Sequence, residues 1–209
     1  FDIIIFAVKP QIATDVLNDY ENFELKKNIV IGSIIAGKKI NFFKKRIKNA
    51  NQFVRIMPNM PALIRNGISC FVSRSNLSLN NKKKLNELFL QVGKTVWLKS
   101  ESQIDKATAV SGSGPGYIFT LIHAFEKAAE KLGFSKNQSQ DLIISTMLGS
   151  IYLMQETKKK PEKLAIQIAV KGGTTEAGIK NLKNNNIDKI IYKTFMAAYN
   201  RAKILSKKN

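Results

Sequence analysis

Apolar and polar positions follow two regimes along this chain. In the first half, short and nearly continuous apolar runs recur at residues 2–8, 29–33, 53–57, 68–72 and 94–98. They are rich in Ile and Val and bounded by Pro, Gly or Asn, the pattern of strands buried in a sheet. The run 2–8 reads as a strand covered on both faces. Residues 12–20, with Ile12, Val16 and Leu17 on one side, have helical spacing. So do residues 80–92, with Leu85, Leu88 and Phe89 facing inward. Strands alternating with helices imply an α/β parallel sheet. Beyond Lys99 the period changes. Ile118, Leu121, Ile122, Phe125 and Leu132 recur at helical spacing, as do Leu142, Ile143, Met147 and Ile151, and later Ile190, Ile191, Phe195, Ala198 and Leu205. Gly133 and Pro161 punctuate these helices. The pattern predicts an α/β part over 1–100 and an all-helical part over 101–209.

Composition narrows the function classes. A chain of 209 residues, 44% hydrophobic, can bury a real core. No apolar run approaches the roughly 18 residues of a membrane span, and residues 1–8 lack the basic leader of a signal peptide. The single cysteine, Cys70, lies in an apolar run and reads as a buried thiol in a reducing, cytoplasmic setting. The net charge of +19 raises the question of nucleic acid. The lysines, however, are scattered from Lys26-Lys27 to Lys207-Lys208 without interleaved aromatics, the pattern of solvated faces. Neither nucleic acid nor membrane is the expected partner, and no His, Cys, Asp or Glu cluster has metal-ligand spacing. His123 reads as structural or solvent-facing, with only Glu126 at helical spacing.

The segment Val170-Lys171-Gly172-Gly173-Thr174-Thr175-Glu176-Ala177-Gly178 carries the clearest chemical signal. Paired glycines let backbone approach a ligand, and threonines opening a helix over 177–182 offer hydroxyls and N–H groups to a small anion. An ordinary capped Gly-rich turn fits the same residues. The nucleotide side is less complete. The chain opens on a strand, has no initiator methionine, and no Gly-x-Gly-x-x-Gly follows a strand. Either the sheet binds no dinucleotide, or its first βαβ units lie upstream.

Four segments together resemble the pyrroline-5-carboxylate reductase family: Ala7-Val8-Lys9-Pro10-Gln11, Met57-Pro58-Asn59-Met60-Pro61-Ala62, Ala109-Val110-Ser111-Gly112-Ser113-Gly114-Pro115-Gly116-Tyr117, and Gly172-Gly173-Thr174-Thr175-Glu176-Ala177. The resemblance implies a partial Rossmann-like sheet followed by a helical dimerisation domain, in an N-terminally incomplete reductase. It implies hydride transfer from NADPH or NADH to 1-pyrroline-5-carboxylate, giving L-proline. Gly172, Gly173, Thr174 and Thr175 are then the substrate loop, with Thr175 on the ring nitrogen and the N–H groups of Gly173 and Thr174 on the carboxylate. Ala7, Val8, Lys9 and Pro10, Ile34, Ile35 and Ala36, and Asn59 are expected to border the cofactor. Gly112, Gly114 and Gly116 permit close packing between segments.

The resemblance also implies a homodimer, in which one subunit's loop completes the other's site, gathered into rings such as a decamer. The apolar faces over 142–153 and 190–205 point the same way. The departures are Val170-Lys171 where the family has Ser-Pro, Ile166 where it has an aspartate, and Gly116 where it has alanine. Lys171 can offset a lost serine by attracting the carboxylate. The alternatives are a related imine or 3-hydroxyacid reductase using Lys106 or Lys127, a basic binding module, and an inactive remnant.

Overall fold

The apolar runs form five strands: β1 (Ile3–Phe6), β2 (Val30–Ser33), β3 (Gln52–Met57), β4 (Gly67–Ser73) and β5 (Gly93–Trp97). They make one sheet in the order β1-β2-β3-β4-β5. The structure, a computed structural model, describes residues 1–20, 24–26 and 28–207. Lys27 and Lys208, two of the scattered basic positions, lie outside the described residues. Strands β1, β2 and β3 are parallel, β4 is antiparallel to β3, and β5 is parallel to β4. The sheet is thus mostly parallel, with one antiparallel pairing between β3 and β4. Only residues 58–66 separate β3 from β4, fewer than the dozen or so a parallel crossover needs. A 3-10 turn at Met60–Ile64, with Arg65 left-handed at φ 60°, reverses the chain instead.

Alternation along the strands divides the core between the two faces. Phe6, Ile31, Phe53, Cys70 and Val72 face α1 (Ala13–Asn18), α2 (Ile40–Lys44) and Ile104 of α4 (Glu101–Ala107). Val30, Val54, Ile56 and Phe71 face Leu85 and Phe89 of α3 (Leu79–Leu90). Two inward expectations change. Ile12 precedes α1 and is 48% exposed, and Leu88 is 49% exposed while Leu85 and Phe89 are buried. Of β1, Phe6 is buried and Ile3, Ile4 and Ile5 are half-buried.

Short α2 has no counterpart in the sequence reading. It buries Phe42 and Phe43, and the Phe42 ring carries Lys38 at 4.3 Å and Arg46 at 4.0 Å from its centroid. Cation–π contacts of this kind let charged residues roof an aromatic core.

After β5 the described residues are helical: α4, a π-helical turn at Thr108–Gly112, α5 (Gly114–Lys131), α6 (Lys136–Thr157), α7 (Pro161–Ile168), α8 (Thr174–Asn184) and α9 (Ile187–Lys207). Gly133, at φ 99°, follows α5. A capping box of Ser135 and Gln138 opens α6, and Pro161 opens α7. The contacts divide the chain into two compact units, one of Phe1–Pro115 with Phe195–Asn209 and one of Gly116–Thr194. In the first unit the sheet supplies the core. In the second, Ala129 and Ser139 are the residues below a tenth exposed, while Ile118, Phe119, Leu153 and Tyr152 are more than half exposed. No described helix is long and apolar enough to cross a membrane.

Candidate functional site

The first unit brings three of the singled-out segments to one edge of the sheet. Strand register pairs Phe6 with Ser33 and Ser33 with Arg55, so β1, β2 and β3 end side by side. Ala7, Val8, Lys9 and Pro10 leave β1 there, Ile34, Ile35 and Ala36 leave β2, and Asn59 follows β3. Carboxyl ends of parallel strands are where α/β sheets receive ligands. The side chains differ in what they can offer. Ala7, Lys9, Pro10 and Ala36 are exposed, and Val8 is half-buried. Ile35 is buried in the core at 3% exposure, so its side chain is withdrawn from the surface. Its N–H is already taken by the Ser33 hydroxyl at 3.2 Å, and the Ile34 N–H by the Phe6 carbonyl at 3.0 Å.

Asn59 is a brace. Its Oδ1 accepts the Ile68 N–H at 2.8 Å, and its Nδ2 donates to the Ser111 carbonyl at 3.3 Å. It thereby joins the end of β3, the start of β4 and the π-helical turn, and one amide hydrogen remains for another acceptor. The Ser111 hydroxyl donates to the Ala107 carbonyl at 2.9 Å. Burial pushes the Cys70 thiol above its ordinary value, opposed in part by a hydrogen bond with Ser111. Of the three glycines expected to allow close packing, only Gly112 does so within the chain. A Cβ there would lie 2.7 Å from the Met57 methyl, whereas Gly114 and Gly116 face open space.

A buried ionic cluster that sequence reasoning missed fixes this region from behind. Arg55, 4% exposed in the middle of β3, donates through Nη2 to Asp105 at 3.1 Å and lies 3.8 Å from Glu101. Glu101 also accepts the Ile40 N–H at 2.7 Å and pairs with Arg74 at 3.4 Å. Ser206 near the end of α9 donates to Asp105 at 2.9 Å. Both carboxylates sit on α4, one turn apart, and α4 runs directly into the π-helical turn that Asn59 holds. That i, i+4 carboxylate pair was the available signal.

In the second unit, the Gly-Gly-Thr-Thr segment joins α7 to α8. Gly172 is left-handed at φ 76°, which a side chain would resist, and Gly173 is the N-cap of α8. The helix starts at Thr174, earlier than the sequence reading of 177–182. No side chain caps it, so neither threonine hydroxyl takes the capping role that the sequence suggested. The Gly173 N–H donates to the Val170 carbonyl at 2.9 Å and the Gly172 N–H to the Glu176 carboxylate at 2.7 Å. Gly173, expected to meet a carboxylate through its N–H, therefore spends it inside the turn. The first N–H groups of α8, on Thr174 and Thr175, point out of the helix start with its positive dipole end. Thr174 is exposed, Thr175 half-buried and Lys171 exposed beside them.

Of the alternative catalytic lysines, Lys127 pairs with Glu130 at 2.7 Å and Lys106 is exposed. His123 is exposed on α5.

Comparison with known proteins places these features among relatives. Residues 101–205 match the family model described as pyrroline-5-carboxylate reductase dimerisation. The chain is 34% identical over 201 residues to the pyrroline-5-carboxylate reductase of Pseudomonas aeruginosa, covering 96% of this chain and 73% of that protein. The structure of a pyrroline-5-carboxylate reductase from Coxiella burnetii superimposes with a TM-score of 0.92 at 33% identity, over 98% of this chain and 76% of that one. That of Plasmodium falciparum pyrroline carboxylate reductase with NADP bound gives 0.86 at 30% identity, over 98% and 77%.

Proposed function

This chain belongs to the pyrroline-5-carboxylate reductase family, and from that premise we propose that it reduces 1-pyrroline-5-carboxylate to L-proline with NADPH or NADH. The loop before α8 holds the substrate, and the β1, β2 and β3 ends hold the cofactor. The substrate asks for two things: donors for its carboxylate and a hydrogen-bonding partner for its ring nitrogen. The N–H groups of Thr174 and Thr175, at the start of an 11-residue helix, suit the carboxylate. Gly172 and Gly173 keep the approach clear of side chains, and the charge of Lys171 favours an anion arriving there. The Thr175 hydroxyl holds the ring nitrogen. Hydride adds at C5, the C=N π pair moves onto nitrogen, and the protonated imine becomes the secondary amine of proline. No base is needed in that step, so positioning and polarisation carry the catalysis.

The strand ends fit a dinucleotide. Ala7 and Ala36 are small and exposed, which leaves backbone accessible beside Lys9, Pro10 and Ile34. Asn59, tied at both ends of its amide, gives that edge a fixed wall. When bound, the cofactor supplies the hydride. We place this chemistry in a cytoplasmic homodimer, in which one subunit's loop completes its partner's site, with larger rings such as a decamer built from it. The sparse core of the helical unit supports such pairing.

The uncapped start of α8 is the observation that carries this reading. The test is Thr175→Ala in the complete enzyme containing this chain. We expect kcat on pyrroline-5-carboxylate to fall about ten- to a hundredfold, the worth of one hydrogen bond to a charged group. The Kd for NADPH should stay unchanged. An equal loss of both would remove Thr175 from the assigned role.

A further inference from the structure

We propose that Glu176 is a positioning residue for the substrate loop, acting through the Gly172 N–H rather than touching the substrate. This rests on the reading of residues 172–175 as that loop. The loop itself contains little that would hold its shape. Two of its residues are glycines, which carry the largest conformational freedom of any residue type. Val170 and Lys171 are exposed, at 70% for Val170, and neither is a proline that would fix a backbone angle. Gly172 nonetheless sits at φ 76°, and two hydrogen bonds close the turn around it: Gly173 N–H to Val170 carbonyl at 2.9 Å and Gly172 N–H to Glu176 Oε2 at 2.7 Å.

The second bond is short and charge-assisted, hence the stronger of the two. Glu176 is the third residue of α8, where a capping box places its Glu or Gln. Here the N-cap is a glycine with no hydroxyl to reciprocate. The carboxylate reaches one residue further back, across the N-cap to Gly172. The consequence is a division of labour among the donors. Gly172 and Gly173 are spent inside the turn, and the Thr174 and Thr175 donors are left facing outward in a fixed direction. Without Glu176, the Gly172 N–H turns free and competes for the same carboxylate ligand, and the pair of glycines samples other conformations.

The experiment uses the complete enzyme containing this chain, with Glu176→Ala and Glu176→Gln. An amide oxygen accepts the same N–H, so Gln keeps the brace and loses only the charge. For Glu176→Ala we expect the KM for pyrroline-5-carboxylate to rise about tenfold, the effect of losing one charge-assisted hydrogen bond. The KM for NADPH and the thermal midpoint should not move. Glu176→Gln should return the substrate KM to within about threefold of the parent enzyme. A wild-type substrate KM in Glu176→Ala overturns the proposal, as does a Gln variant as impaired as the Ala variant. Amide hydrogen exchange at Gly172 gives a readout independent of activity. Exchange should quicken in Glu176→Ala and stay slow in Glu176→Gln, and an unchanged rate in Glu176→Ala also overturns the proposal. If the unaltered enzyme does not reduce pyrroline-5-carboxylate, the functional reading fails, while the exchange result still decides on the brace.

Discussion

Arg55 stands in β3 where an apolar side chain is the ordinary choice, and its charge tolerates burial because α4 supplies Glu101 and Asp105 one turn apart. Removing Asp105 takes away the carboxylate hydrogen-bonded to the guanidinium and leaves the buried charge facing only Glu101 at 3.8 Å, which costs more than the pair contributes. Asp105→Ala should therefore lose about 3–5 kcal/mol, read from the shift of a urea unfolding curve. The loss removes the Ser206 hydrogen bond as well. This cluster shows where single-residue reading stops. Phe53-Val54-Arg55-Ile56-Met57 announces a core strand, but the partners of Arg55 lie on another element, far along the chain. Asn59 is similar. The resemblance pointed to it as a residue bordering the cofactor, while its hydrogen bonds to Ile68 and Ser111 depend on the tertiary fold. By contrast, the Gly-Gly-Thr-Thr turn is built from neighbours in sequence, so its outline was legible. What escaped was the helix start at Thr174, the Gly173 N–H spent on the Val170 carbonyl, and the reach of Glu176 back to Gly172.

Elements were legible wherever apolar period alone decides them. All five strands and the long helices follow their runs. What the runs could not carry is direction, since a strand buried on both faces reads alike either way up. The brevity of 58–66 held that information. Glycine spacing at the sheet edge carries more of the same kind. Gly67 and Gly93 are register partners, and a Cβ on Gly93 would overlap the Gly67 carbonyl. Gly93 is also at φ 140°, a backbone conformation that other residues avoid. Gly93→Ala should cost about 3 kcal/mol or more of unfolding free energy. Gly116 is the contrasting case, lying in α5 with open space around its Cβ position. Gly116→Ala should stabilise the helix by a little under 1 kcal/mol. Both follow from denaturation midpoints of the two variants measured side by side.

At the scale of the whole molecule, the two units differ in how they are held. Strands and flanking helices enclose the core of the first, whereas the second leaves Phe119, Leu153 and Ile166 more than half exposed. Apolar area of that extent on helices is the mark of surfaces that need a partner. Light scattering at micromolar concentration should therefore give at least twice the mass of a chain, and a stable monomer would refute the association. Ser206 adds a matter of timing. It donates to Asp105 from 101 residues further along the chain. At the usual pace of synthesis, about 5–20 residues per second, it leaves the ribosome some seconds after its acceptor. During that interval the sheet can close around Arg55, Glu101 and Asp105, but the last hydrogen bond to Asp105 has to wait. The nascent sheet domain is thus finished by the segment translated well after it.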